Sequence, residues 1–278
     1  MRKNYGPIYV GPVAFWLCAF LSVPLLITLS YSFLEKGLYG GVEPHLSLAA
    51  YRSLFNTAVL KVLLNTIIIA VLSTAMMVAL ALPTAYYIAR SPVKNLLLML
   101  IIIPFWTNFL IRIYAWIAIL GSNGLINSFL MGAGLTDSPV QFLYNRGAII
   151  LVIVYTTIPF AIFPLYSTIE KFDFSLIEAA MDLGASKTVA LWKIMIPNIR
   201  SGITTAVLFT FIPTFGNFAV PKLVGGTSSW MLGNLIEREL NITRNWPLAS
   251  SMSVVLTSVT MLAVLFFMRS QNKKESSR

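Results

Sequence analysis

The residue types that carry most enzyme chemistry are scarce in this chain. It has one histidine, His45, one cysteine, Cys18, and ten acidic residues among 278. A Ser/His/Asp relay needs a usable histidine, and His45 sits between Pro44 and Leu46 in a polar stretch. One histidine and one cysteine make neither a disulfide framework nor a metal site. The fragment Gly184-Ala185-Ser186-Lys187-Thr188 invites comparison with a phosphate-cradling loop. That loop needs glycine directly before the lysine, a second glycine five residues earlier, and a preceding strand. Here those positions hold Ser186 and Met181, and the flanking pattern is helical. All ten acids fall between the long apolar runs, so no carboxylate is expected at membrane depth. The sequence therefore predicts no catalytic residue, no metal site and no cofactor of its own.

Polar and aromatic residues inside the apolar runs remain, and they suit recognition of a passing solute. Trp106 and Asn108 follow Pro104, which removes a backbone donor and permits a kink. A tryptophan face attracts an ammonium group; ordinary interhelical packing is the other reading. Arg112 either snorkels to the outer interface or lines a pathway. At about 1.5 Å per residue it would lie roughly 27 Å along a straight helix from Lys94. Tyr114 and Trp116 fit an outer aromatic belt or the same pathway. In Pro213-Thr214-Phe215-Gly216-Asn217-Phe218-Ala219-Val220-Pro221, two prolines and a glycine disturb helix regularity. Irregular backbone at that depth is tolerated where it is buried in protein or lines a cavity, which makes Asn217 a further pathway candidate.

The elements that must position these residues are membrane spans. The chain is 57% hydrophobic and 11% charged, with mean hydropathy +0.79. Soluble proteins carry roughly 25% charged residues. A net charge of +10 could mean nucleic acid, but no basic stripe interleaved with aromatics exists. A spanning helix needs about 20 apolar residues. The charge-free windows yield six spans, at 11–33, 62–89, 95–120, 148–169, 201–222 and 249–268. The first window, 4–34, is too long for a cleaved leader. Twelve Lys and Arg residues fall on one side and seven on the other. The richer side is cytoplasmic by the positive-inside rule, so both termini are expected in the cytoplasm. Glu35, Glu43, Asp137, Glu237 and Glu239 are then exterior.

The cytoplasmic loop 170–200 has a pattern of its own. Ser175 and Glu178 read as a capping box that starts a helix. Gly184 is placed to end it in a left-handed turn. Ser186 can cap a second short helix, which Pro197 is expected to stop. Ala179 and Ala180 leave one face bare for a partner's approach. An ordinary capped loop would show the same local signals.

Glu178-Ala179-Ala180, then Asp182, Gly184 and Ile196-Pro197, resemble the EAA loop of ATP-binding-cassette importer permeases. Further likeness to the spermidine/putrescine group lies in the segment from Pro104 to Tyr114, in Ile169-Glu170-Lys171, in Gly225-Gly226 and in Arg244-Asn245-Trp246-Pro247. The resemblance implies an all-α membrane protein with six transmembrane helices and the type I importer permease fold. It also implies one transmembrane domain over 1–278, with a permease core at 61–269. The site residues it implies for ATPase coupling are Ser175, Glu178, Ala179, Ala180, Asp182, Gly184 and Pro197. The implied partners are a second permease subunit, two ATPase subunits that hold ATP and Mg, and an extracytoplasmic binding protein, all at a bacterial inner membrane. Spermidine or putrescine would be the cargo. Many members carry an acid where this chain has Asn217, so either the partner permease supplies it or the cargo is no simple polyamine. An importer permease for another solute (an amino acid, or an organic or metal-bound anion), an ion-coupled carrier and a membrane scaffold are the alternatives. The carrier would need an intramembrane carboxylate, and it would leave the elbow unexplained.

Overall fold

The computed structural model describes residues 6–275, without the side chains of 6–9, 228 and 266–275. Arg2, Lys3 and Arg278, counted above toward the cytoplasmic side, lie outside the described residues, as do the side chains of Arg269, Lys273 and Lys274. The chain divides into two compact units. One comprises the residues up to Lys61 together with Leu235–Met261, and the other comprises Val62–Asn234 with the residues from Leu262 onward.

The first unit begins with α1 (Gly6–Ser32), a long apolar helix whose flank residues Phe15 and Trp16 are exposed. Its hydroxyls bond back along the helix, Thr28 to the Pro24 carbonyl and Ser30 to that of Leu26. A hairpin of β1 (Leu34–Lys36) and β2 (Val42–Leu46) follows and holds His45. Gly40 and Gly41 turn it at φ +94° and +80°, values that L side chains avoid. After α2 (Ala49–Ser53), the helix α3 (Thr57–Arg90) carries the chain into the second unit. The chain returns through α14 (Leu232–Asn241) and α15 (Trp246–Glu275).

In the second unit, α4 (Lys94–Ile102) runs on as a 3₁₀ turn to Trp106. Next come α5 (Phe109–Leu120) and α6 (Leu125–Gly132), then α7 (Arg146–Thr157) and α8 (Pro159–Glu170). The elbow in the loop 170–200 holds α9 (Ser175–Asp182), α10 (Lys187–Ala190), a π-helical turn Leu191–Met195 and α11 (Ile196–Asn198). Then α12 (Arg200–Phe215) and α13 (Ala219–Val224) complete the unit. Its core is one cluster that includes Ile69, Met77, Ile113, Ile149, Leu165, Ile169 and Ile199.

Among the described residues, four helices are long and apolar enough to cross a bilayer, and two bent pairs raise the number to six. The expected third span, 95–120, is not continuous. Thr107 is extended, at φ −72° and ψ 148°, and separates the helix ending at Trp106 from α5. The long apolar helix there is Phe109–Gly132, in which Gly121–Gly124 forms a tight turn. Arg112 therefore cannot be placed by counting from Lys94. It does not snorkel either, because its side chain is only 8% exposed.

The expected 148–169 span is bent by 48° between α7 and α8, where Pro159 brings no N–H to continue the ladder. The expected 201–222 span ends at Phe215 and resumes at Ala219. Pro197 does not stop the helix before it. The π-helical turn shifts the hydrogen-bond register ahead of the proline, and the 71° bend comes after Asn198.

The most extensive helix packing in this unit joins α8 to α12. A Cβ on Gly202 would lie 2.7 Å from Thr168 Cβ and 3.2 Å from the Pro164 carbonyl oxygen. Gly202→Ala is expected to destabilise the protein by about 1–3 kcal/mol through overpacking. In a Thr168→Gly background the same change should cost less, and thermal unfolding of the four proteins in the cycle reads the coupling.

Candidate functional site

The side chain that caps the elbow lies two residues earlier than the capping-box pattern indicates. The Asp173 carboxylate, not the Ser175 hydroxyl, accepts the first free donor, the Ser175 N–H, at 3.0 Å. The Ser175 hydroxyl and N–H together hold the Asp173 carboxyl below the usual carboxylate range. An ionised carboxylate is the stronger acceptor and also suits a helix N-terminus, so it takes the cap from the serine. Gly184 ends α9 as expected, at φ +89°. The Gly184 N–H donates to the Met181 carbonyl at 2.9 Å and the Ala185 N–H to that of Ala180 at 3.0 Å. These two bonds are the Schellman pattern. Ser186 then caps α10, accepting from the Val189 N–H at 3.4 Å.

One side of the elbow is anchored and the other is bare. Ile177 is buried in the core cluster. The Phe174 ring lies under the Arg90 guanidinium, 4.9 Å away, and meets Tyr86 edge-on. Lys94 reaches Glu170 at 2.7 Å, and the Tyr166 hydroxyl donates to the same carboxylate at 2.6 Å. The ends of α3, α4 and α8 are thereby tied to the base of the elbow. Ser175, Glu178, Ala179, Asp182, Gly184 and Pro197 are exposed, and Ala180 is half-buried. Two large apolar side chains stand among them, Leu183 at 90% exposure and Trp192 at 66%. A small-residue face flanked by uncovered apolar side chains suits a protein partner.

The pathway candidates gather only in part. Asn108 accepts from the Leu110 N–H at 2.8 Å and so caps α5, which restarts the helix after the break. Trp106, directly before the break, is 80% exposed. Tyr114 is exposed, and Trp116 is half-buried, edge-on to Tyr155 at 5.4 Å. Arg112 points inward. Its guanidinium donates to the Thr156 carbonyl at 3.3 Å and lies 5.2 Å from the Phe105 ring centre and 5.9 Å from that of Phe109. Asn217 accepts from the Val220 N–H at 3.1 Å and so caps the restart at α13. Nothing brings Asn217 into contact with Trp106 or Asn108.

A set of residues missed in the sequence holds the interrupted fifth segment in place. Thr66 accepts from the Leu232 N–H at 2.8 Å, and Asn65 donates to the Trp230 carbonyl at 2.8 Å. Asn234 donates to the Phe218 carbonyl at 2.7 Å. Gly225 leaves no room for a Cβ beside Ile149. The available signal was helical spacing, because Asn65-Thr66 and Ser73-Thr74 stand eight residues apart on one face of an otherwise apolar run.

Residues 77–275 match the family described as binding-protein-dependent transport system inner membrane component. The chain is 36% identical over 279 residues to the spermidine/putrescine transport system permease protein PotB of Salmonella typhimurium, covering 99% of this chain and 97% of that one. It is 38% identical over 264 residues to the PotB of Escherichia coli K12, with 93% and 96% covered. In fold it is similar to a chain in the crystal structure of a bacterial transporter involved in the import of the acidic polysaccharide alginate. That match has a TM-score of 0.79 at 19% identity and covers 98% and 96% of the two chains.

The left-handed turn at Gly184 generates a direct test of the elbow. Any other residue pays about 1–2 kcal/mol there, least for asparagine. Gly184→Ala is expected to raise hydrogen exchange of the amides in 179–185 by about 5–30-fold. Gly184→Asn should raise it less.

Proposed function

The chain belongs to the family of binding-protein-dependent transport system inner membrane components, and from that premise we propose that it carries polyamines, spermidine or putrescine, across the inner membrane. It is a multi-pass permease subunit of an ATP-binding-cassette importer, with the type I importer permease fold. The observation that carries the polyamine reading is the near-full-length likeness to the two spermidine/putrescine permeases.

Under this reading the chain pairs with a second permease and with two ATPase subunits, which hold ATP and Mg. An extracytoplasmic binding protein delivers the cargo. The elbow residues Ser175, Glu178, Ala179, Ala180, Asp182 and Gly184, with Pro197 behind them, form the ATPase-facing surface. Exposed Leu183 and Trp192 supply apolar contact there. Closure of the ATPase pair pushes on the elbow, and its anchors pass the displacement to α3, α4 and α8. Trp106, Asn108, Tyr114, Trp116 and Asn217 are the pathway residues, and Trp106 offers an uncovered ring to an ammonium group. The carboxylates that a polycation needs come from the partner permease, because the acids here lie outside the spans or, for Glu170, at the very end of one. The neutral Asn217 favours a second reading, an importer of another small solute. ATP-dependent uptake of labelled spermidine by the reconstituted complex separates the two, and its absence at normal ATP turnover would favour the other solute.

Two further outcomes are expected. If the Trp106 ring serves the cation, uptake falls in the order Trp, Phe, Leu at equal protein level, with up to about 2 kcal/mol at stake. Equal uptake by the Phe and Leu variants would return Trp106 to packing against a partner. Both termini are assigned to the cytoplasm, so in a Cys18→Ala background Glu43→Cys should react with an impermeant thiol reagent added outside. Lys187→Cys should not, and labelling of Lys187→Cys from outside would reverse the orientation.

A further inference from the structure

The buried Arg112 guanidinium has no carboxylate partner among the described residues, and its Nε has no hydrogen-bond acceptor. A buried cation without compensation is costly. What surrounds it instead are two aromatic faces and one carbonyl.

Each of those three contacts stands at a broken span. Phe105 lies in the 3₁₀ turn just before the extended Thr107, and Phe109 is the first residue of α5 just after it. Thr156 is the penultimate residue of α7, at the 48° bend that Pro159 opens. Carbonyls in a last helical turn have no intrahelical donor, and the negative end of the helix dipole favours a cation there. Phe105 also meets Phe160, on the far side of that bend, edge-on at 5.4 Å. We propose that Arg112 is a positioning residue for transport, a cation that clamps the 107–108 break of one interrupted span to the 157–159 bend of the next. Its charge is balanced by the α7 C-terminus and the two rings rather than by a carboxylate or by cargo. The clamp rests on the transport reading only for its consequence; the geometry it sets belongs to this chain.

The test uses the assembled transporter in a Cys18→Ala background. Spin labels go at Leu96→Cys with Ile111→Cys across the first break, and at Leu151→Cys with Ser167→Cys across the second. All four positions are exposed. Arg112→Met keeps apolar bulk and removes charge and donor, Arg112→Lys keeps both, and Phe105→Leu removes one ring.

The clamp predicts that both distance distributions broaden together in Arg112→Met and that Arg112→Lys restores most of their width. Spermidine uptake should lose about tenfold in Vmax, the factor that goes with losing a hydrogen bond to a charged group, while KM stays put. Phe105→Leu should show the same pattern, weaker. A changed KM at unchanged distance distributions would make Arg112 a cargo contact, and unchanged distances and uptake would leave it no role; either result overturns the clamp. If Arg112→Met fails to assemble, the Lys and Phe105→Leu variants decide, because wild-type distances and Vmax in Phe105→Leu would contradict it. If the wild type does not carry spermidine, the polyamine reading fails while the label distances still judge the clamp.

Discussion

Inside a bilayer a freed backbone group has no water to turn to, and each one left unpaired costs several kcal/mol. This protein interrupts three of its apolar segments, and much of its polar side-chain chemistry answers the donors and acceptors those breaks expose. Asn108 takes an N–H at the start of α5, and Asn217 takes one at the start of α13. Arg112 meets a carbonyl at the end of α7. Asn65, Thr66 and Asn234 together secure the backbone at Phe218, Trp230 and Leu232. Residues that look like recognition groups in an apolar sequence are, in most of these cases, already committed to the backbone.

This constraint explains what was legible in the sequence and what was not. Gaps between charges locate the apolar segments, because a charge at membrane depth is rare whatever the fold. They cannot locate a break, since a break needs no charge. Proline is an uncertain guide. Pro83, Pro164 and Pro213 lie inside continuous helices, whereas Pro104 and Pro159 stand at interruptions. The interruption at 107–108 depends on an extended Thr107 followed by a capping Asn108, a pairing of conformation and cap that composition does not reveal. The depth assigned to Arg112 loses its basis for the same reason, because it assumed a straight helix.

The elbow was far more legible, because turn chemistry is local. A glycine in the left-handed region and a serine cap are decided within a few residues, and Gly184 and Ser186 both stand as read. The cap of α9 goes to the one competitor that the capping-box pattern ignores, an aspartate two residues upstream. The anchors of the elbow were hidden, since Phe174 with Arg90 and Lys94 with Glu170 join residues more than seventy positions apart.

Those distant anchors bear on how a displacement at the elbow could travel. A short helix that hung from two flexible ends would absorb a push by rotating. Here α9 buries Ile177, its approach is held through Phe174, and its exit is a Schellman turn with two hydrogen bonds. The bare edge from Glu178 to Leu183 is therefore the exposed side of a braced element. A load on that edge meets the end of α3 through Arg90, and Glu170 at the end of α8 leads it to Lys94 and α4. Beyond α8, the Gly202–Thr168 approach carries it to α12 with no slack for a Cβ. Close-packed contacts transmit displacement because they cannot be compressed, and the interruptions farther along the same segments are where that displacement can turn into a change of angle.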